Sequence, residues 1–144
     1  MSDEQRRDDR HRVVVPSDQT LQPVARARGA HMAVLIGPES GAPNFVTRRF
    51  LLDPGGRIPA HRHPDIEHEQ VMVKGEMVLG LASETRVVRA GDAVYIPAQT
   101  AHWYENRQSD PVEFLCVVPI TDRYATEWLE PPPEGAYAPG PPDE

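Results

Sequence analysis

The sequence predicts an all-β fold, a sandwich or a barrel, and three observations predict it. Short apolar runs rich in β-branched and aromatic residues recur along the chain, Gly, Pro, Asn and Asp separate them, and only one stretch has a helical look. In chain order the runs are MAVLI (32–36), NFVTRRFLL (44–52), QVMV (70–73), MVLGLA (77–82), TRVVR (85–89), AVYIP (93–97) and VEFLCVVP (112–119). DPGG at 53–56, KGE at 74–76, RAGD at 89–92 and NRQSD at 106–110 read as the turns between them. A short C-terminal helix is expected over TDRYATEWLE (121–130), where Tyr124 and Trp128 stand i, i+4 on one possible packing face.

The ends differ from the middle. Residues 1–12 are charged and aperiodic and read as a disordered arm. PPPEGAYAPGPP (131–142) is too proline-rich for strand or helix, so 131–144 read as an extended, flexible tail. Residues 13–130 are left as one domain with a single core. The formal charge of −7 argues against nucleic acid and anionic membranes as partners. MSDEQRRDDR lacks the apolar stretch of a secretory signal, and no run approaches membrane-spanning length. The single cysteine, Cys116, fits a reducing compartment, so a cytoplasmic location is expected.

Chemistry concentrates in HRHPDIEHEQVMVKGE (61–76), with three histidines and three acidic residues within nine positions. Side chains at i and i+2 of a strand point the same way, so His61 and His63 can reach one ion together. Neutral imidazole suits Zn, Cu, Fe and Ni. Glu67, His68 and Glu69 all stand close enough in sequence to complete such a site, and the choice sets its charge. A second patterned stretch runs Gly91, Pro97, Gln99, His102, Asn106.

The two stretches, G-x5-H-x-H-x4-H-x6-G from Gly55 to Gly75 and G-x5-P-x-Q-x2-H-x3-N from Gly91 to Asn106, resemble the two motifs of the cupin superfamily, over roughly residues 32–119. The resemblance implies a jelly-roll barrel. It implies a third ligand seven positions before the glycine that closes the hairpin, which is His68. Counting forward from His63 with a shorter gap gives Glu67 instead. The turn is the safer frame, because strand residues between ligand and turn must keep register. The implied metal ligands are His61, His63, His68 and His102, as in small tetra-histidine cupins that bind manganese. One divalent ion is thus expected, Mn first and Fe(II) next, with Ni, Cu and Zn open. Gln99 departs from the pattern, standing where glycine is usual.

Four neutral ligands leave the ion's charge uncompensated, so the site should attract a small, anionic substrate. Strand alternation puts Gln70 on the face of His68, and Phe114 and Cys116 together on another inward face, where both are expected to line the cavity. Arg48 shares its face with Val46, Phe50 and Leu52. It is either an inward clamp for a carboxylate or one half of an edge salt bridge. Cys116 is either a cavity wall or an inert buried thiol. Ile58, Trp103 and Tyr104 are expected as rims or walls, and His11 and His31 as non-ligands. The leading expectation is a metal-dependent oxidoreductase of the dioxygenase kind. A non-redox isomerase or decarboxylase and a non-catalytic small-anion-binding module are the alternatives. A homodimer is expected, since exposed strand edges need cover.

Overall fold

The computed structural model describes residues 11–137; the first ten residues of the expected arm and the last seven of the expected tail lie outside them. Ten strands form one curled antiparallel sheet. They are β1 (Gln22–Pro23), β2 (Arg28–Ile36), β3 (Phe45–Arg62), β4 (His68–Lys74), β5 (Glu76–Leu81), β6 (Glu84–Arg89), β7 (Ala93–Ile96), β8 (His102–Glu105), β9 (Val112–Pro119) and β10 (Glu127–Trp128). The main path runs β6-β5-β8-β3-β9-β4-β7, with β2 and β10 also on β3. The architecture is that of the expected jelly-roll barrel. Among the described residues no helix is long and apolar enough to cross a membrane.

The spine is β3, at 18 residues. Its first half pairs with β9 from Phe45↔Pro119 to Leu52↔Val112, and its second half with β8 from Arg57↔Glu105 to His61↔His102. The expected turn at 53–56 is therefore a correction: β3 runs through it and only bends. Gly55 takes a left-handed φ of +79°, and a Cβ on Gly56 would stand 2.6 Å from the Gly29 carbonyl oxygen. Asn106, fully buried, pins this bend. Its side-chain nitrogen donates to the Leu52 and Asp110 carbonyls at 3.1 and 2.8 Å, and its backbone N–H donates to the Gly56 carbonyl at 2.9 Å. The bend lets one strand serve two neighbours, and so aims the end that carries His61 and His63.

Alternation builds the core as expected. His68, Gln70 and Met72 of β4 face inward, and Glu69, Val71 and Val73 face out. Val112, Phe114, Cys116 and Val118 of β9 are all buried. Phe114 stacks on Phe50 with ring centres 5.0 Å apart and on Tyr104 at 5.3 Å. Truncating this fully buried ring to alanine would cost about 3–5 kcal/mol.

The expected C-terminal helix does not form. Residues 121–126 are irregular and β10 follows, pairing Glu127↔Arg62 and Trp128↔His61. A ten-residue helix is marginal unless packing supports it, and three prolines follow directly. The extended path instead lays the two aromatics, half-buried, against the barrel mouth. Its backbone is satisfied there, with the Leu129 N–H donating to the Ala60 carbonyl at 2.9 Å. Spacing i, i+4 puts two residues on one side of a strand as well as of a helix, so it could not decide between them. The start of the proline-rich stretch also lies against the sheet: Arg28 donates to the Glu134 carbonyl, and the Tyr137 N–H to the Ala27 carbonyl at 2.9 Å.

Candidate metal centre and its cavity

Three strand ends bring the four histidines together. His61 and His63 come from the end of β3, His68 opens β4, and His102 opens β8. Ring centres are 4.2 Å apart for His61–His102, 4.5 Å for His63–His68, 5.2 Å for His61–His63 and 5.5 Å for His68–His102. All four side chains are buried. Glu67 and Glu69 are exposed, and Glu67 accepts a hydrogen bond from the Tyr95 hydroxyl. Of the three residues left open by the sequence, it is His68 that turns to the centre.

The cluster is a triad with a fourth member beside it. His61, His63 and His102 each offer a ring nitrogen within 4.8 Å of the other two; His68 does not meet that limit for all three. Backbone carbonyls hold the triad. Nδ1 of His61 donates to Pro59 at 2.7 Å, Nδ1 of His63 to Ala125 at 2.9 Å, and Nδ1 of His102 to Thr100 at 2.9 Å. A carbonyl can only accept, so each Nδ1 carries the proton and each Nε2 keeps its lone pair. Outer contacts of this kind fix the rings of metal-binding histidines. The Nε2 atoms of His68 and His102 are buried with no hydrogen-bond partner. An ion would satisfy them.

The environment keeps these imidazoles neutral. Burial, only partly offset by the carbonyl bonds, pushes His63 and His102 each down to about 4. Burial and then neighbouring His102 hold His61 well below its ordinary value, and burial and then Arg48 do the same for His68. Neutral imidazole is the form that binds a metal. The donor set therefore fits a divalent ion. Held there, the ion would act as a Lewis acid on an oxygen of a bound molecule.

His61, His63 and His68 floor a cavity walled by Arg48, Phe50, Ile58, Gln70, Tyr104 and Cys116, and closed by Val24, Tyr124 and Trp128. The expected pocket residues Arg48, Ile58, Gln70 and Cys116 thus line it. Phe114, expected as a wall too, does not reach the cavity: it lies one layer deeper, stacked on Phe50 and Tyr104. The Gln70 amide donates to the Tyr104 hydroxyl at 2.6 Å and contacts the Cys116 sulfur at 3.6 Å. Arg48 faces in; Arg49 faces out and pairs with Glu113. The edge salt bridge open to Arg48 is the one its neighbour makes. Trp103 turns away to stack under Arg57, and His31 meets Tyr137.

Val24, Tyr124 and Trp128 are wall residues that sequence reasoning missed. Tyr124 sits over His63 with centres 5.1 Å apart, and Trp128 over His61 at 4.9 Å. Their aromatic character was visible; their long-range placement was not. Phe50 had a signal, since it lies two residues from Arg48 on one strand face.

Comparison with known proteins agrees with this geometry. Residues 48–118 match the family Cupin_2, described as a cupin domain. Residues 48–118 form a cupin domain. Over 82 residues the chain is 32% identical to a protein named polyketide synthase CurC from Streptomyces cyaneus, covering 56% of this chain and 53% of that protein. The chain thus spans about half the length of that relative. Among solved structures, the polyketide cyclase RemF from Streptomyces resistomycificus superposes with a TM-score of 0.78 at 27% identity, covering 87% of this chain and 89% of that one. A predicted oxalate decarboxylase from Thermotoga maritima gives 0.68 at 24%, covering 76% and 100%, and shows the fold alone.

Proposed function

We propose that this cupin is a metal-dependent enzyme that transforms a small organic substrate inside the barrel, with His61, His63 and His102 holding the ion and His68 completing a four-histidine set. The carrying observation is the carbonyl-locked triad, with His68 beside it and the Nε2 atoms of His68 and His102 buried without a partner. Manganese is the first candidate and Fe(II) the next, with Ni, Cu and Zn tested alongside. The protein's own contribution is to exclude water with Phe50, Ile58, Tyr104 and Trp128, and to position the substrate against the histidines.

Two chemistries suit this site. The first is oxidation of dioxygenase type, which an ion without a carboxylate ligand and with open positions supports. The second is non-redox chemistry through an enolate, as in isomerisation, decarboxylation or ring closure. It draws support from likeness to a polyketide cyclase over most of the chain. Metal analysis of protein purified without added metal tests the shared reading, and the absence of any bound ion would overturn it. Turnover of a panel of phenols and diketones, followed with an oxygen electrode and again without oxygen, separates the two. Oxygen uptake matched to product supports oxidation; undiminished turnover without oxygen supports the enolate route.

A homodimer belongs to the same proposal. Val71, Val73 and Tyr95 on the outer sheet face are 48%, 45% and 55% exposed, an apolar strip that a second copy would cover. Light scattering that gives a monomer would remove this part. The lone, buried Cys116 suits a reducing compartment such as the cytoplasm.

A further inference from the structure

Arg48 is the one charged residue of the cavity lining, and its surroundings are unusual for a cation. It is 9% exposed. Arg49, Arg57, Arg62, Arg89 and Arg107 each pair with a glutamate. Among the described residues Arg48 has no such partner. Its Nη1 donates to the Tyr124 hydroxyl at 3.2 Å and its Nη2 to the Cys116 sulfur at 3.3 Å, both weak acceptors for a guanidinium. Its Nε is buried with no partner at all. A buried, unpaired charge is costly to a fold unless something compensates it.

The surrounding groups do not compensate it. The rings of Phe50 and Tyr124 lie 5.2 and 5.8 Å from the guanidinium carbon, a partial recompense at best. The imidazoles across the cavity are neutral, and the positive field of Arg48 helps keep them so. A guanidinium does not escape by losing its proton. Water-sized space inside the cavity is about 40 Å³, room for about three waters at roughly 10–15 Å³ each. A planar group of three or four atoms fits; a larger body must extend toward Tyr124 and Trp128.

We infer that Arg48, with the Tyr124 hydroxyl as second donor, is the subsite for a planar oxyanion of the substrate, a carboxylate or an enolate, lodged between the guanidinium and the histidines. This inference rests on reading the cavity as a substrate site, and is independent of which ion the histidines hold. A guanidinium presents two parallel donors to such a group, which a lysine would not. Tyr124 lies outside the matched domain at 48–118, so this part of the recognition belongs to the closing segment.

Calorimetric titration of the metal-free protein with benzoate, and with benzamide as its neutral analogue, tests this in chloride-free buffer. Benzoate should bind at least tenfold more tightly than benzamide. R48Q should weaken benzoate at least tenfold, R48K by less, and Y124F about threefold, while R48Q retains the wild-type metal content. Equal binding of benzoate and benzamide would overturn the inference, as would wild-type benzoate affinity in a folded R48Q. Should R48Q fail to fold by circular dichroism, Y124F and the benzamide comparison decide in the same sense. A protein that binds no metal yet shows the Arg48-dependent preference would end the metal reading and leave this one standing.

Discussion

The cavity has two walls built on different principles. The histidine wall comes from β3, β4 and β8, each held on both sides by the sheet ladder, and the rings of His61 and His102 are fixed by the carbonyls of Pro59 and Thr100 close by in the chain. The closing wall, residues 121–130, lies on the barrel mouth through two ladder pairs, the Leu129 N–H on the Ala60 carbonyl, the Ala125 carbonyl on His63 and a few side-chain contacts. The first wall has a geometry that the ladder dictates; the second has one that packing must find. On the proposed function, chemistry would sit on the first wall and selection of what enters on the second.

The largest expected effect acts on the histidine wall alone. In the unfolded chain these imidazoles titrate near their ordinary 6.5, while His63 and His102 in the fold titrate near 4 and His61 and His68 are lowered too. Above 6.5 both states are neutral and the metal-free fold has its full stability. As pH falls from 6.5 toward 4, the unfolded chain takes up protons that the folded one refuses, and stability is lost. At pH 5 the loss is about 2 kcal/mol per histidine, and several kcal/mol for the set. Urea denaturation of metal-free protein at pH 7 and pH 5 measures it. A flat profile would mean that the cluster is wetter than its burial implies. The closing wall should add nothing, since Arg62 holds the Glu127 carboxylate below its usual range and keeps that pair charged.

Next in size is metal affinity. His102→Ala removes a triad member and should weaken binding by at least 100-fold, or about 3 kcal/mol. His68→Ala, outside the tight triad, should cost less, and Glu67→Gln nothing. Competition against a chromogenic chelator reads all three. A loss in the Glu67 variant comparable to that in His102→Ala would show that the acidic neighbour, not the histidine, serves the ion.

Trp128→Ala tests the closing wall. It removes a half-buried ring tilted against His61 and lying under Arg26 at 5.1 Å, and stability should fall by about 1–2 kcal/mol in thermal denaturation. Metal affinity should stay within about threefold, because Pro59 rather than Trp128 fixes the His61 ring. A metal loss as large as that of His102→Ala would show that the two walls are one unit.

The same division explains what the sequence made legible. Strand alternation put His68, Gln70, Phe114 and Cys116 on buried faces and left Arg48 open between the cavity and an edge ion pair, because side-chain direction along a strand is a local property but its partners are not. The bend at Asp53–Gly56 was misread as a turn, since Gly and Pro mark a bulge and a loop equally well. The fate of 121–130 depended on what the barrel mouth offered, and no local periodicity records that. The carbonyls of Pro59, Thr100 and Ala125, which lock the ligand rings, are backbone groups and carry no signal in residue identity.

Gln99 is where the sequence pattern and the backbone disagree, and it gives the smallest effect. Glycine is usual there, and the chain keeps the glycine conformation regardless: Gln99 has φ +73°, left-handed. Its N–H donates to the His63 carbonyl at 2.9 Å, tying the loop before β8 to the end of β3. That bond joins the two histidine stretches and holds the turn against a strain of roughly 1–2 kcal/mol for a residue with a Cβ. Gln99→Gly relieves the strain but frees the unfolded chain, a loss of about 0.5–1 kcal/mol. The net should be a stabilisation of no more than about 1 kcal/mol, with metal affinity unchanged, since the bond to His63 uses only backbone. A clear destabilisation would mean that the Gln99 side chain itself supports the turn, and that the departure from glycine is functional rather than tolerated.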